Sequence, residues 1–173
     1  MLLEFELRSA PITYPEKIFS DKRGLSIGIS ELTDGGVEPL IELYKAFDIE
    51  SQFQGLPPEN MDMRKAWLQR LLRDGFHLVA ATKATGIVGH AVLVELPARR
   101  SCEFLTVVMK EHRNNGIGTH LAEASINWAR ILGYTSIWLT VAATNTRAIH
   151  VYKKVGFDVL SYSEELEMEA HLE

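Results

Sequence analysis

Two segments in the second half of the chain carry residue types that bind phosphate and donate protons. Residues 113–119 contain a basic residue followed by two glycines, and residues 145–157 contain an asparagine followed by a tyrosine. Gly116 and Gly118 leave main-chain N–H groups uncovered where a helix is predicted to begin, and unpaired donors together with the helix dipole favour an anion there. Arg113 adds a positive charge that can pair with that anion. The first segment therefore predicts a phosphate cradle.

Two other glycine loops do not fit these residues. A dinucleotide fingerprint requires a third glycine three residues after Gly118, where Leu121 stands. A P-loop requires a lysine followed by serine or threonine, whereas Thr119 and His120 follow Gly118. A glycine-rich turn that binds nothing stays open as the alternative to the cradle.

A helix is predicted directly after the cradle, because apolar residues recur there at steps of three and four. These residues are Ile117, Leu121, Ala124, Trp128 and Ile131. Gly133 is predicted to end the helix.

The second segment is predicted to be a strand followed by a short helix. Apolar residues alternate over 137–141, and Thr144 or Asn145 can cap a helix that runs to Val155. Gly156 is the expected stop.

Tyr152 lies within this short helix and permits two interpretations. Spacing places it on one helix face with Ala148, Ile149 and Val155. Tyr152 is then either a core aromatic whose hydroxyl has a protein partner, or a proton donor beside the phosphate cradle.

The pattern R-x-x-G-x-G and the later run N-x-x-A-I-x-x-Y-x-K-x-G-F resemble the GNAT superfamily of N-acetyltransferases, over about residues 86–157. Members of that superfamily move an acetyl group from acetyl-CoA to an amine. The resemblance implies that main-chain groups of three strand residues bind the pantetheine arm and that main-chain N–H groups of the loop bind the pyrophosphate. The strand residues are Thr106, Val107 and Val108, and the loop residues are Asn114, Asn115, Gly116, Ile117, Gly118 and Thr119. The resemblance also implies that Asn145 contacts the cofactor and that Tyr152 protonates the departing thiolate.

The resemblance leaves the general base less defined. In the branch that acetylates protein N-termini, a glutamate stands where this chain has Thr140, and in the histone-acetylating branch the base position falls on Cys102, one place from Glu103. We name Glu103 as the base, although strand alternation can turn it away from the site unless a bulge intervenes. One alternative is that Glu103 is only a solvated strand residue. The base would then be Glu95, His90 or a water chain.

Composition is typical of one globular enzyme domain. The chain has 173 residues, of which 46% are hydrophobic and 24% charged. Cys102 is the only cysteine, which excludes an internal disulfide and a cysteine-based zinc site, and no other metal site is predicted. The net charge of −5 argues against nucleic-acid binding and favours cationic acceptors. The sequence predicts no membrane span, and we expect a cytoplasmic protein.

The predicted fold is α/β (α+β), a GNAT fold with a central mixed, mostly antiparallel sheet of about six to seven strands flanked by about four helices. Residues 1–23 are predicted to be an N-terminal strand or irregular extension, and residues 24–173 a single acetyltransferase domain. The expected order is β–α–α–β–β–β–α–β–α–β–β. Asp34 is predicted to cap the first helix, and Asn60 or Asp62 the second.

The acceptor is predicted to be an amine, either a small molecule or a protein lysine. The segment 48–63, with Phe53 and Glu50, is predicted to form an acidic, partly aromatic mouth, and a solvated loop is the alternative. A non-catalytic acetyl-CoA sensor, or transfer of a longer acyl group, are the other functions left open. The segments 1–23 and 166–170 are candidates for joining two subunits as a homodimer.

Overall fold

The computed structural model describes residues 7–10, 12–47 and 56–172, which form eight strands and four helices. The strands are β1 (Lys17–Ser20), β2 (Ser26–Glu31), β3 (Gly75–Thr82), β4 (Gly86–Leu96), β5 (Ser101–Val108), β6 (Ser136–Ala142), β7 (Asp158–Ser161) and β8 (Glu165–His171). The helices are α1 (Asp34–Lys45), α2 (Met61–Asp74), α3 (Ile117–Ile131) and α4 (Thr146–Lys154). A single 3-10 turn, Lys110–His112, lies between β5 and α3.

The strands form one sheet in the order β1-β2-β3-β4-β5-β6-β8-β7. Every neighbouring pair is antiparallel except β5 and β6, which are parallel. That parallel pair has only three register partners, and the last of them is Glu103 with Trp138. Beyond Glu103 the two strands separate, so the sheet opens in its middle.

The helices cover the two faces of the sheet in separate pairs. On one face α3 and α4 pack on the larger core, which includes Phe104, Leu121, Trp128 and Ile137. On the other face α1 and α2 pack on a smaller core that includes Tyr44. The opening between β5 and β6 is therefore bordered by α3 and α4 on one face of the sheet and by α1 and α2 on the other.

Most predicted elements from α2 onward are confirmed. Helix α2 begins at the predicted cap, because Oδ1 of Asn60 accepts hydrogen bonds from the N–H groups of Asp62 and Met63 at 3.0 Å. Asn145 likewise caps α4, and Gly133 and Gly156 follow α3 and α4 with positive φ angles of 84° and 103°.

Two predictions about the first half need correction. The cap of α1 is Thr33, whose side chain makes no capping hydrogen bond, and Asp34 lies in the first turn. The sheet has one strand more than the predicted maximum of seven, because Lys17–Ser20 pairs with β2 within the segment that was expected to be irregular. Strand β1 is short and lies at the edge, so it leaves little alternation to read. The predicted strand at 1–8 lies largely outside the described residues, and the domain division at residue 23 stays a prediction.

Among the described residues, no helix combines the length and the apolar character that crossing a bilayer requires.

Candidate active site

The separation of β5 from β6 produces a cleft of about 880 Å³. Its walls come from the ends of these strands, from the start of α3 and from one face of α4. The predicted site residues line this cleft, with Ile117 as the exception. The side chain of Ile117 is in the core, and its predicted role concerns only its main-chain N–H.

The start of α3 has the geometry of an anion site. Gly116 is the N-cap with φ 91°, and it has no side chain that could cap the helix. The first helical hydrogen bond is donated by His120 N to Gly116 O at 3.1 Å. The N–H groups of Ile117, Gly118 and Thr119 therefore precede that bond and have no side-chain cap, which is the arrangement that favours an anion.

The two glycines of this loop serve different purposes. The positive φ of Gly116 is a conformation that other residues adopt only with strain. A Cβ at Gly118 would lie 3.9 Å from Cγ2 of Val108, which is an ordinary van der Waals contact. The fold therefore tolerates a small side chain at Gly118, and the glycine there keeps the cleft open.

Arg113 lines the cleft and is held there by its neighbours. Its Nε donates to the carbonyl oxygen of Val108 at 2.8 Å, and its guanidinium carbon lies 5.9 Å from the ring centroid of Phe47 at the end of α1. Arg113 thus places a positive charge between the phosphate loop and the α1 side of the cleft. On the opposite wall, Asn145 uses its Oδ1 to accept from Ala148 N at 3.2 Å.

Tyr152 lies where β5 and β6 begin to separate. Its ring is held between Phe104 and Phe157, with centroid distances of 6.0 and 5.7 Å. Burial raises the pKa of Tyr152 to about 12, so its hydroxyl is protonated near neutral pH. Within the described part of the chain the hydroxyl has no hydrogen-bond partner, although it lines the cleft. The structure therefore provides an unused proton donor, rather than a core tyrosine bonded to a partner.

Glu103 approaches the cleft from the other face of the sheet. The register of β5 with β4 is continuous, so no bulge intervenes, and Glu103 alternates with Phe104. Phe104 faces α3 and α4, whereas Glu103 shares its face with Val107, which packs on the α1 and α2 core. Glu103 still lines the cleft, because the sheet is split at this point. Partial burial raises the pKa of its carboxyl above the usual value.

Most residues that line this cleft lie in a segment that matches a known protein family. The model of the acetyltransferase (GNAT) family matches residues 38–157. The chain belongs to this family.

Individual relatives are distant. The L-methionine sulfoximine/L-methionine sulfone acetyltransferase of Pseudomonas aeruginosa is 25% identical over 59% of this chain and 62% of its own length. The spermidine N(1)-acetyltransferase of Escherichia coli K12 is 32% identical over 41% of this chain and 39% of its own. The chain thus spans about three fifths, or less, of the length of these curated relatives.

Solved structures show the same fold. The GNAT domain of S. lividans PAT superposes with a TM-score of 0.78 at 18% identity, over 91% of this chain and 97% of that one. Spermidine N-acetyltransferase from Vibrio cholerae, in complex with CoA and spermine, superposes with a TM-score of 0.68 at 21% identity, over 84% of this chain and 95% of that one.

On the α1 and α2 side of this GNAT cleft, Leu56 and Pro57 of the predicted acceptor segment line the wall together with Glu103. Phe47 and Trp67, which the sequence reasoning did not assign to the site, line the same wall. The predicted acceptor residues Glu50 and Phe53 lie outside the described residues. The aromatic character expected of the mouth is therefore supplied in part by the helices that flank that segment.

Glu167 was also missed by sequence reasoning. It pairs across the sheet with Thr140, which lines the cleft on the side of Glu103. Directly opposed residues of neighbouring strands have side chains on one face, about 5 Å apart. Thr140 stands where the branch that acetylates protein N-termini has a glutamate. Glu167 provides a carboxylate on the neighbouring strand instead.

The weaker base candidates do not line the cleft. His90 is fully buried, and its Nε2 donates to Nδ1 of His77 at 2.9 Å while its Nδ1 accepts from the Tyr44 hydroxyl at 2.8 Å. These roles follow because Nε2 of His77 must donate to the Leu71 carbonyl oxygen, 2.9 Å away. Glu95 forms an ion pair with Arg8 at 2.8 Å.

Proposed function

We propose that this GNAT protein is an acetyl-CoA-dependent N-acetyltransferase that acetylates a primary amine while both substrates are bound. The observation that carries the proposal is one cleft that is lined both by the uncapped start of α3 and by Tyr152, whose hydroxyl has no partner among the described residues. The names of the relatives, which include acetyltransferases for spermidine and for L-amino acids, support the same reaction class.

The cleft fits the shape and charge of acetyl-CoA. Beyond Glu103, β5 has no strand partner on the β6 side, so its main-chain groups there are available to an extended ligand. Thr106, Val107 and Val108 would pair with the pantetheine arm as a strand does. The N–H groups from Asn114 to Thr119, with Arg113 beside them, would hold the pyrophosphate. When bound, acetyl-CoA supplies the acetyl thioester that reacts.

Tyr152 is proposed as the general acid. Its hydroxyl is neutral near pH 7, because burial raises its pKa to about 12, and no described side chain competes for its proton. Oη of Tyr152 would donate that proton to the sulfur as the thiolate departs. Phe104 and Phe157 fix the ring, which limits the positions that the hydroxyl can take.

Glu103 is proposed as the general base on the opposite side of the split sheet. An amine must lose a proton to attack the thioester, and a carboxylate with a raised pKa is better matched to that task than an ordinary one. Because Glu103 and Tyr152 reach the cleft from different faces, the amine and the thioester would meet between them. Glu103 would then take the proton of the amine on one side of the cleft, and Tyr152 would give a proton to the departing thiolate on the other side.

The acceptor side of the cleft fits a cationic amine. Rings of Phe47 and Trp67 and the carboxylate of Glu103 line it, and aromatic faces and carboxylates both attract ammonium groups. The acceptor is therefore proposed to be a small amine or a lysine side chain that enters between α1 and α2.

The test is acetylation of an amine panel by the purified protein. Polyamines, L-amino acids and lysine peptides are incubated with acetyl-CoA, and products are identified by mass spectrometry. The proposal predicts enzyme-dependent addition of one acetyl group in at least one class. Tight acetyl-CoA binding without any acetylated product would instead favour a sensor, and a preference for longer acyl-CoA would favour another acyl donor.

A further inference from the structure

The turn between β1 and β2 is locked by the carboxylate of Asp21. Oδ1 of Asp21 accepts from the N–H groups of Arg23 and Leu25 at 2.8 and 2.9 Å, and Oδ2 accepts from Nε of Arg23 at 2.9 Å. Gly24 completes the turn with φ 84° and donates to the Asp21 carbonyl oxygen at 2.9 Å. Asp21 is only 5% exposed, so this turn has one defined shape.

The same turn packs against residues 111–115, which lead into the phosphate cradle predicted at residues 113–119. Arg23 donates to the Glu111 carbonyl oxygen at 3.1 Å and lies 3.0 Å from Nδ1 of His112. The N–H of Lys22 donates to the Asn115 carbonyl oxygen at 3.3 Å. These contacts join residues about 90 positions apart in the chain. The β1–β2 turn therefore packs directly against the loop that precedes α3.

A ring contact fixes the strand that leads into the turn. The Phe19 ring lies over the His120 ring, with centroids 3.8 Å apart, and His120 is in the first turn of α3. The β1–β2 hairpin is thereby attached to both the loop and the helix that form the phosphate cradle.

The side chain of Lys22 is the part of this turn that remains available for a ligand. Asp21 and Arg23 form an ion pair with each other. The Lys22 side chain, in contrast, is exposed and has no ion pair within the described part of the chain. Lys22 lines the same cleft as Asn115 and Gly116. Its N–H is held by Asn115, so its backbone is positioned at the edge of the cradle.

We propose that Lys22 binds a phosphate group of the CoA moiety and that the β1–β2 hairpin is an additional wall of the cofactor site. This inference rests on the proposed function, because it requires that acetyl-CoA occupies the cleft. Main-chain N–H groups supply partial charges, and an ammonium group at their edge adds a full charge toward a multiply charged ligand. The chain carries a net charge of −5, so local cations are needed to attract such an anion.

The test is calorimetric titration of CoA into the wild type and into Lys22→Ala, Lys22→Glu and Lys22→Arg. Loss of a charge-assisted contact should weaken CoA binding by about tenfold in Lys22→Ala, with a larger loss in Lys22→Glu and recovery in Lys22→Arg. Lys83→Ala is the matched control, because Lys83 is an exposed lysine of the β3–β4 turn that does not line the cleft. Thermal unfolding of each variant checks that the fold is retained.

A parallel titration with 3′-dephospho-CoA identifies the phosphate. If Lys22 binds the 3′-phosphate, the loss in Lys22→Ala disappears with this ligand, and if it binds the diphosphate, the loss persists. Either result supports the inference. Wild-type affinity of Lys22→Ala for both ligands, or an equal loss in Lys83→Ala, overturns it while the proposed function stands. Failure of the wild type to bind CoA overturns both.

Discussion

The ring of Phe104 packs edge-on against the ring of Tyr152, with centroids 6.0 Å apart and ring planes at 82°. Phe104 is the first residue of β5 beyond the last register pair with β6. The contact therefore sets the tyrosine hydroxyl at the point where the sheet opens, and it couples the strand that would bind pantetheine to the helix that would supply the proton.

Replacement of Tyr152 by phenylalanine separates binding from chemistry. Tyr152→Phe keeps the ring contacts and removes the hydroxyl, so acetyl-CoA affinity should be nearly unchanged while kcat falls by roughly 10²–10⁴-fold. Calorimetry and steady-state kinetics measure the two quantities. Tyr162→Phe is the control, since that ring is 80% exposed and should leave both unchanged. Unaltered turnover in Tyr152→Phe would return Tyr152 to a packing role.

Glu103 lines the cleft, whereas Glu167 does not line it and only pairs with Thr140 across the sheet. A pair of amide substitutions tests the assignment of Glu103 as the base against Glu167. A base must be ionised, so kcat/KM should rise with pH through the pKa of Glu103, which partial burial raises from its usual value. Glu103→Gln should lower kcat/KM and remove its rise with pH in the acidic range. Glu167→Gln should retain this rise if Glu103 is the base. If only Glu167→Gln removes the rise, Glu167 is the base.

A negative charge at the start of α3 should abolish cofactor binding. Gly118→Glu places a carboxylate among the N–H groups that would hold the pyrophosphate, whereas Gly118→Ala should bind nearly normally because its Cβ meets only Val108 at 3.9 Å. Gly35→Glu is a matched control, since Gly35 has the same place in the first turn of α1, away from the cleft. Normal CoA affinity in Gly118→Glu would contradict the cradle.

The buried histidines should make the fold sensitive to acid. Burial lowers the pKa of His77 from 6.5 to about 4, and burial, together with the charge on His77, lowers the pKa of His90 well below 6.5. The unfolded chain therefore takes up protons first, so stability present above pH 6.5 is lost as pH falls toward 4. The loss attributable to His77 is about 3 kcal/mol.

Urea unfolding at several pH values measures this loss. His77→Gln should be less stable than wild type at pH 7 and should show a weaker pH dependence between pH 6.5 and 4. His171→Gln is the control, because the His171 side chain is 75% exposed. An undiminished pH dependence in His77→Gln would show that other groups cause the acid sensitivity.

The sequence predicted the fold from α2 onward better than the segment before it, for physical reasons. Helices α2, α3 and α4 have apolar residues at helical spacing and end at caps or glycines, all of which are local signals. Strand β1 has four residues at a sheet edge, and only its pairing with β2 defines it. So short an edge strand leaves little alternation in the sequence.

The site shows the same division. The loop before α3 could be predicted as a phosphate cradle because its glycines act through their own main chain. The face on which Glu103 lies was left open, because it depends on whether β5 contains a bulge, and the structure shows a continuous register. Lys22 and Glu167 gave no signal, since each reaches its place through pairing with a distant segment.

A calorimetric titration with acetyl-CoA, followed in the same sample by a free-thiol assay on adding amines, tests the proposed function directly. We expect saturable binding at one site per chain and release of CoA thiol that requires an amine, with binding lost in Gly118→Glu and thiol release strongly slowed in Tyr152→Phe. A wild-type protein that shows no binding of acetyl-CoA would contradict the assignment of the cleft.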